Sequence, residues 1–381
     1  MNIGFITSEY PHPLSKHPGG IGTSVKNLAE ALAASKHQVS VFIYRQNADH
    51  VVCEHNIKLH FIKTRKFAVG TWFWYRRYVE NYIAKIIKED NIDVIEAPDW
   101  TGISAFMRFN IPLVVRLHGS DTFFCRLENR PQKFKNYLFE KTAVRGASAL
   151  VSPTRFAAEL TLNIFNLRKH VEIIPNGLPL DKFENAAPDL FTDGLILYIG
   201  TLIRKKGVLE LPQIFARVKA QYPAAKLLLV GNDSSDIRTN SGSTWDLFKK
   251  ECPEELLKSI VWTGKVTYEE VVRHIKQAHV CVFPSFAETQ GMVTIECMAM
   301  QKAVVSSNFG WSRELISDSE SGFLADPGDH DEFAHKVLAL LTNDSLRQEI
   351  GINARQQAVE KFDISAIAEA NVRFYKTLVK P

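Results

Sequence analysis

Short apolar runs of strand character alternate with helical patterns along nearly the whole chain, and this alternation restricts the fold more than any other feature. In the first half, runs at 3–7, 39–44, 57–62, 94–97, 113–117, 149–152 and 171–175 are separated by helical segments such as 25–34, 78–88 and 135–145. The pattern fails between 176 and 194 and restarts with runs at 195–200, 226–231, 260–263, 280–283 and 303–306. Strands alternating with helices pair in parallel, because a parallel connection must cross over the sheet and a helix provides the crossing. The expected fold is therefore α/β, with two Rossmann-like, doubly wound parallel-sheet domains facing across a ligand-binding cleft. A chain of 381 residues exceeds what one core usually supports, which also argues for two domains. We place them at 1–183 and 184–363, with a last helix within 364–381 packing back onto the first.

Composition narrows the class. The chain is 45% hydrophobic and 23% charged, as in ordinary globular proteins, and no apolar span suggests a membrane helix. The first residues read as a strand rather than a signal peptide, so a cytoplasmic location is expected. Residues 1–185 hold 24 Lys and Arg against 17 Asp and Glu, net +7, whereas residues 186–381 are net −3. No basic run is long enough to indicate nucleic acid, so an anionic surface or acceptor is the better partner for the basic half. The five cysteines lack metal-ligand spacing and read as buried thiols.

Two places carry candidate chemistry. The first is the loop after strand 3–7, where Gly19, Gly20 and Gly22 allow close backbone approach to a phosphate or sugar but form no dinucleotide fingerprint. The second is Pro284-Ser-Phe-Ala-Glu-Thr-Gln-Gly-Met-Val-Thr-Ile-Glu296, which reads as the end of a strand, a polar loop and a helix start. The amides near Gly291, Met292 and Val293 form an anion site at that helix N-terminus. Glu288 and Glu296 on either side of it repel a bare phosphate. They make sense if each accepts hydrogen bonds from hydroxyls flanking the phosphates of a nucleotide-sugar. Taken alone, the pair is better explained as a loop carboxylate and a solvated helix residue.

Several motifs in fixed order add a resemblance that spans almost the whole chain: the glycine loop, Arg116-Leu-His-Gly-Ser-Asp121, Ile174-Pro-Asn-Gly177, Gly200-Thr-Leu-Ile-Arg-Lys-Lys-Gly207, Glu288-x7-Glu296 and Ser321-Gly-Phe-Leu-Ala-Asp-Pro-Gly-Asp329. The set resembles the retaining GT-B glycosyltransferases of family 4, also called group 1 or glycogen-synthase-like. The resemblance implies transfer of a sugar from a UDP- or GDP-sugar with retained anomeric configuration, without a metal or other cofactor. It implies that Arg204 and Lys206 hold the leaving diphosphate, that Glu296 binds the ribose and that Glu288 faces the donor sugar. It further implies that Val266 borders the base through its backbone, that His118 orients sugar or acceptor near the reaction centre, and that Gly19 and Asp121 lie on the acceptor side. Thr201, Thr289-Gln290 and Trp311 depart from the family's usual residues, so the donor sugar does not carry over.

For the acceptor, residues 63–77 interleave Lys63, Arg65, Lys66, Arg76 and Arg77 with Phe67, Trp72, Phe73, Trp74 and Tyr75. Such a stretch suits an anionic membrane surface, and with it a lipid-linked or growing glycan acceptor at the cytoplasmic leaflet. Aromatic core packing with solvated basic flanks is the competing reading. A nucleotide-sugar epimerase, a phosphorylase and a non-catalytic nucleotide-sugar-binding protein stay open on the same fold.

Overall fold

The computed structural model describes residues 1–16 and 19–379, so His17 and Pro18 of the first glycine loop and the last two residues lie outside it. The chain forms two compact units, Met1–Pro179 with Asp363–Pro381, and Leu180–Phe362.

Unit 1 is built on an eight-stranded sheet of β1 (Asn2–Thr7), β2 (Gln38–Gln46), β3 (His50–Glu54), β4 (Ile57–Lys63), β5 (Val94–Pro98), β6 (Leu113–Arg116), β7 (Ala149–Ser152) and β8 (Glu172–Ile173), in the order 3-4-2-1-5-6-7-8. Neighbours pair in parallel except β3 with β4. The sequence pattern does not show β3, because His50-Val-Val-Cys-Glu54 is a mostly exposed edge strand. Its two-residue turn has His55 and Asn56 at φ 49° and 64°, the left-handed pair that suits a tight hairpin.

The helix Ile364–Leu378 completes this unit. It sets Ile367, Ala368, Val372 and Tyr375 into one core with Ile3, Phe5, Val114 and Val151 of the sheet and Leu28 and Leu32 of helix Gly20–Ala34. A buried polar network pins it there. The Arg116 guanidinium forks onto Glu96 at 2.7 and 3.0 Å, and Tyr375 Oη donates to the same carboxylate at 2.6 Å. Arg116 also donates to the Asn371 side-chain oxygen.

The basic-aromatic stretch splits between inside and outside. Trp72 and Trp74 are exposed, whereas Tyr75 and Arg76 are buried. Arg76 donates to the carbonyls of Trp72, Thr101 and Gly102, so it belongs to the scaffold and not to a surface charge patch. Cys53 departs from the expectation of buried thiols; it is exposed on the edge strand, while the other four cysteines are buried.

Unit 2 holds six parallel strands, β9 (Leu195–Ile199), β10 (Lys226–Val230), β11 (Ile260–Trp262), β12 (Val280–Phe283), β13 (Val304–Ser307) and β14 (Phe323–Ala325), ordered 11-10-9-12-13-14. Strand order reverses between β9 and β12, and at such a switch the chains leaving the carboxyl ends diverge and open a crevice. The segments after β9 and β12 contain Arg204, Lys206, Glu288 and Glu296.

Candidate functional site

In unit 2 the loops after β9 and β12 are locked together by backbone. The amides of Phe286 and Ala287 donate to the Lys205 carbonyl at 2.8 and 3.2 Å. Gly207 takes φ 68°, and a Cβ there would overlap the Pro284 carbonyl, so a side chain at 207 would push the loops apart. This approach brings Lys206 Nζ to 2.9 Å from Glu288 Oε1, with both side chains about one-fifth exposed. Around the pair, Tyr198, Ser285, Gly291, Val293, Thr294 and Trp311 line a small cavity.

Gly291, at φ 81°, turns the chain into helix Met292–Ala299. Its burial pattern leaves Met292, Val293 and Glu296 facing outward while Thr294, Ile295 and residues 297–299 point to the core. Glu296 therefore stands one turn above the first helical amides, whose N–H groups have no acceptor inside the helix. Tyr268 Oη donates to its carboxylate at 3.2 Å. Tyr268 is placed by the Thr267–Glu270 capping box that starts the preceding helix, Tyr268–Gln277. Burial pushes the Glu296 carboxyl up to about 7, against the opposing pull of the Tyr268 hydrogen bond and the Lys206 charge. Val266 is half-buried in the loop between β11 and that helix.

Arg204 stands beside Lys206 but is already engaged. Its Nε and Nη2 donate to the two oxygens of Asp236 at 3.0 and 2.8 Å, and Asp236 is buried. Asp236 also accepts from the Thr239 amide and hydroxyl. Bonds from Arg204 and then Thr239, working against burial, hold its carboxyl down at about 2. The 232–244 segment reads in sequence as a mobile loop without chemistry. The structure corrects this: Asp233 accepts from the amides of Ser234, Thr244 and Trp245, and Asp236 fixes Arg204.

In unit 1 the corresponding carboxyl edge of the sheet presents Gly19, Gly20, His118 and Asp121. Gly20 opens helix Gly20–Ala34 and is exposed, with open space where a Cβ would lie, while the Glu9 carboxylate packs against Gly19. Burial, reinforced by the Arg116 charge, pushes the His118 imidazole down to about 3, so it is neutral at pH 7. Its backbone amide donates to Asp99 Oδ1 at 2.9 Å. Asp99 is fully buried at the end of β5, and its carboxyl rises to about 8 from burial and the neighbouring Glu140 charge. Asp121 begins helix Asp121–Leu127, and its carboxylate accepts from Asn136 at 2.9 Å and Arg130 at 3.3 Å. Those bonds outweigh burial and keep it ionised. Glu140 in turn accepts from the amides of Asp121 and Thr122.

Asp99, Tyr268 and Asp236 are the functional neighbours that sequence reasoning passes over. Asp99-Trp100 directly after a strand end is the one signal that could have drawn attention to the first. The other two show themselves only through their partners.

The chain matches Glycosyltransferase Family 4 over residues 18–182 and Glycosyl transferases group 1 over residues 182–357. The capsular polysaccharide biosynthesis glycosyltransferase CapM of Staphylococcus aureus is 28% identical over 262 residues, 65% of this chain and 66% of that protein. Sucrose-phosphate synthase from Thermosynechococcus elongatus superposes with a TM-score of 0.79 at 21% identity, over 99% of each chain. Anabaena HepE, solved in complex with UDP-glucose, superposes with a TM-score of 0.75 at 18% identity, over 99% of this chain and 100% of that one. With both units matched in sequence and the whole chain matched in fold, the protein belongs to the group 1 glycosyltransferases of GT-B architecture.

Proposed function

We propose that the protein is a retaining, metal-independent transferase that moves a sugar from a UDP- or GDP-sugar to a glycan or lipid-linked acceptor in cell-surface polysaccharide or glycoconjugate synthesis. The observation that carries this reading is the Lys206–Glu288 pair beside the first amides of helix Met292–Ala299, with Glu296 one turn further on. When the bond from anomeric carbon to phosphate oxygen breaks, negative charge collects on the diphosphate. Lys206 and the helix amides are placed to meet it, and donors fixed before the reaction stabilise such charge without reorganising. Arrival of phosphate gives Lys206 a new partner and frees Glu288 to accept from donor-sugar hydroxyls. Glu296 accepts from the ribose, Val266 borders the base, and Arg204 supplies the edge of its guanidinium that Asp236 leaves open. Attack comes from the face the phosphate leaves, and the departing phosphate takes the acceptor proton, so no carboxylate nucleophile is required. On unit 1, neutral His118 orients the sugar or the acceptor hydroxyl, with Gly19, Gly20 and Asp121 alongside. CapM, named for capsular polysaccharide biosynthesis, and HepE, solved with UDP-glucose, support the choice of pathway and donor class.

A thermal-shift and hydrolysis screen of UDP-, GDP-, ADP- and dTDP-sugars tests this, with Lys206→Ala and Glu296→Ala alongside. A donor present at 100 times its dissociation constant stabilises the native state by about 2.7 kcal/mol. One nucleotide family stabilising the wild type and neither variant is the expected result. No stabilisation by any of them removes the donor assignment.

A further inference from the structure

Exposed large apolar side chains gather on one edge of unit 1. Val69, Trp72 and Trp74 follow β4, Phe106 follows β5, and Phe134 and Leu138 follow β6 through helix Phe134–Gly146. All three segments leave the carboxyl ends of their strands, so the patch shares the sheet edge that carries Gly20 and His118. Ring contacts bind the segments to one another. Trp72 lies 5.1 Å and Phe106 6.1 Å from the Phe139 ring, and Lys135 Nζ sits 5.9 Å from Trp72. Arg76 rivets them from beneath, with its guanidinium over Phe139 at 4.3 Å and its N–H groups on the Thr101 and Gly102 carbonyls.

Two further observations give the patch a purpose. Phe106 holds φ 67°, a costly conformation for a bulky residue, while its ring stays half in solvent. Across 63–77, 103–110 and 131–138 there are eight Lys and Arg and no Asp or Glu. All but Arg76 are exposed; Arg65 pairs with Asp49 at 3.4 Å and Arg77 with Glu80 at 2.6 Å. Tryptophan and phenylalanine set among cations that outnumber the acids beside them fit a surface that is anionic outside and apolar just beneath. Among the described residues no helix is long and apolar enough to cross a membrane, so the contact would be peripheral.

We propose that this three-segment platform docks unit 1 onto an anionic phospholipid surface, seating the loops of the acceptor side at the lipid interface. The proposal rests on the functional reading above only in its use of a lipid-linked acceptor; the docking itself needs no donor. The test is co-sedimentation of the full chain with phosphatidylcholine vesicles with and without phosphatidylglycerol, for wild type, Trp74→Ala/Phe134→Ala and Lys133→Glu/Lys135→Glu. UDP-sugar thermal shifts on the same samples report whether the fold and donor site are intact. Wild type should bind the anionic vesicles in a salt-sensitive manner and leave the neutral ones. The charge variant should lose roughly thirtyfold or more in partitioning, since each surface cation gained or lost changes binding about fivefold. The aromatic variant should also detach, and both should keep the wild-type nucleotide response. Equal binding to both vesicle types, no vesicle binding, or binding that survives the aromatic substitutions overturns the proposal. Vesicle binding without any nucleotide response retains the platform and discards the donor reading instead.

Discussion

Carboxylates stand at the ligand-facing sheet edge of both units, but they are used in opposite ways. In unit 2, Glu288 and Glu296 are partly accessible and take hydrogen bonds from other side chains, Lys206 and Tyr268. In unit 1, Asp99 and Glu140 are buried and take theirs from backbone amides of the loop that carries His118 and Asp121. A carboxylate held by side chains can exchange partners when a ligand arrives. One that satisfies backbone fixes the shape of a loop. Glu288 and Glu296 of unit 2 can thus change partners, while Asp99 and Glu140 of unit 1 fix the loop they hold.

The comparison can be broken most severely at the buried ion pair of unit 1. Glu96→Ala strands the Arg116 guanidinium and should cost about 3–5 kcal/mol in urea unfolding, whereas Glu288→Ala, which breaks a partly solvated pair, should cost no more than about 1 kcal/mol. Similar losses would erase the distinction. Next comes Lys206→Ala, expected to lower kcat by about 100- to 1000-fold with little change in unfolding midpoint. A variant that unfolds early would make Lys206 part of the scaffold.

Asp99 supplies a third and smaller effect. Asp99→Ala leaves buried amides without an acceptor and should cost about 1–3 kcal/mol, while Asp99→Asn keeps an oxygen for the His118 amide and should cost less. The folded state holds the Asp99 proton up to about pH 8, whereas the unfolded chain releases it near the ordinary aspartate value. Its contribution is therefore full in acid and is lost as pH rises through about 8. Urea midpoints measured between pH 5 and 8 should fall less steeply for Asp99→Asn than for wild type.

Glu296 sharpens the contrast from the other side. Its carboxyl titrates near 7, and ribose hydroxyls require the ionised form, so donor affinity should rise by roughly tenfold from pH 6 to 8. Binding near pH 7 should release a fraction of a proton, read by calorimetry in buffers of different ionisation heat. Proton uptake, or an affinity flat with pH, would remove Glu296 from the ribose.

Most of this architecture was legible in the sequence, because apolar strands between helices have one economical arrangement. The exceptions have local causes. β3 is an exposed edge strand and carries little apolar pattern. The start of helix Thr71–Glu89 hides in the aromatic cluster, where period and burial cannot be separated by eye, and so Arg76 and Arg77 look alike although one is buried and the other exposed. The 232–244 segment is rich in Asn, Asp, Ser and Thr, the composition of a solvated loop. Those same side chains satisfy its backbone and order it. Glu288, Glu296 and Lys206 were legible as candidates because the segments bearing them follow recognisable strand ends. The support of His118 was not, since Asp99 and Glu140 lie 19 and 22 residues from it and meet its loop only through the fold.

The helix Ile364–Leu378 has a consequence for how the protein is made. Unit 2 is one uninterrupted stretch, but unit 1 needs residues from both ends of the chain. On a ribosome the first 179 residues emerge early and must wait with Ile3, Val114 and Val151 short of the helix that covers them. The Arg116–Glu96 pair likewise lacks Asn371 and Tyr375 until residues 371–375 are made. Arrival of helix Ile364–Leu378 is thus a completeness check, so a chain that stops at residue 362 carries a whole unit 2 attached to an amino-terminal half that exposes its core to the cell's proteases.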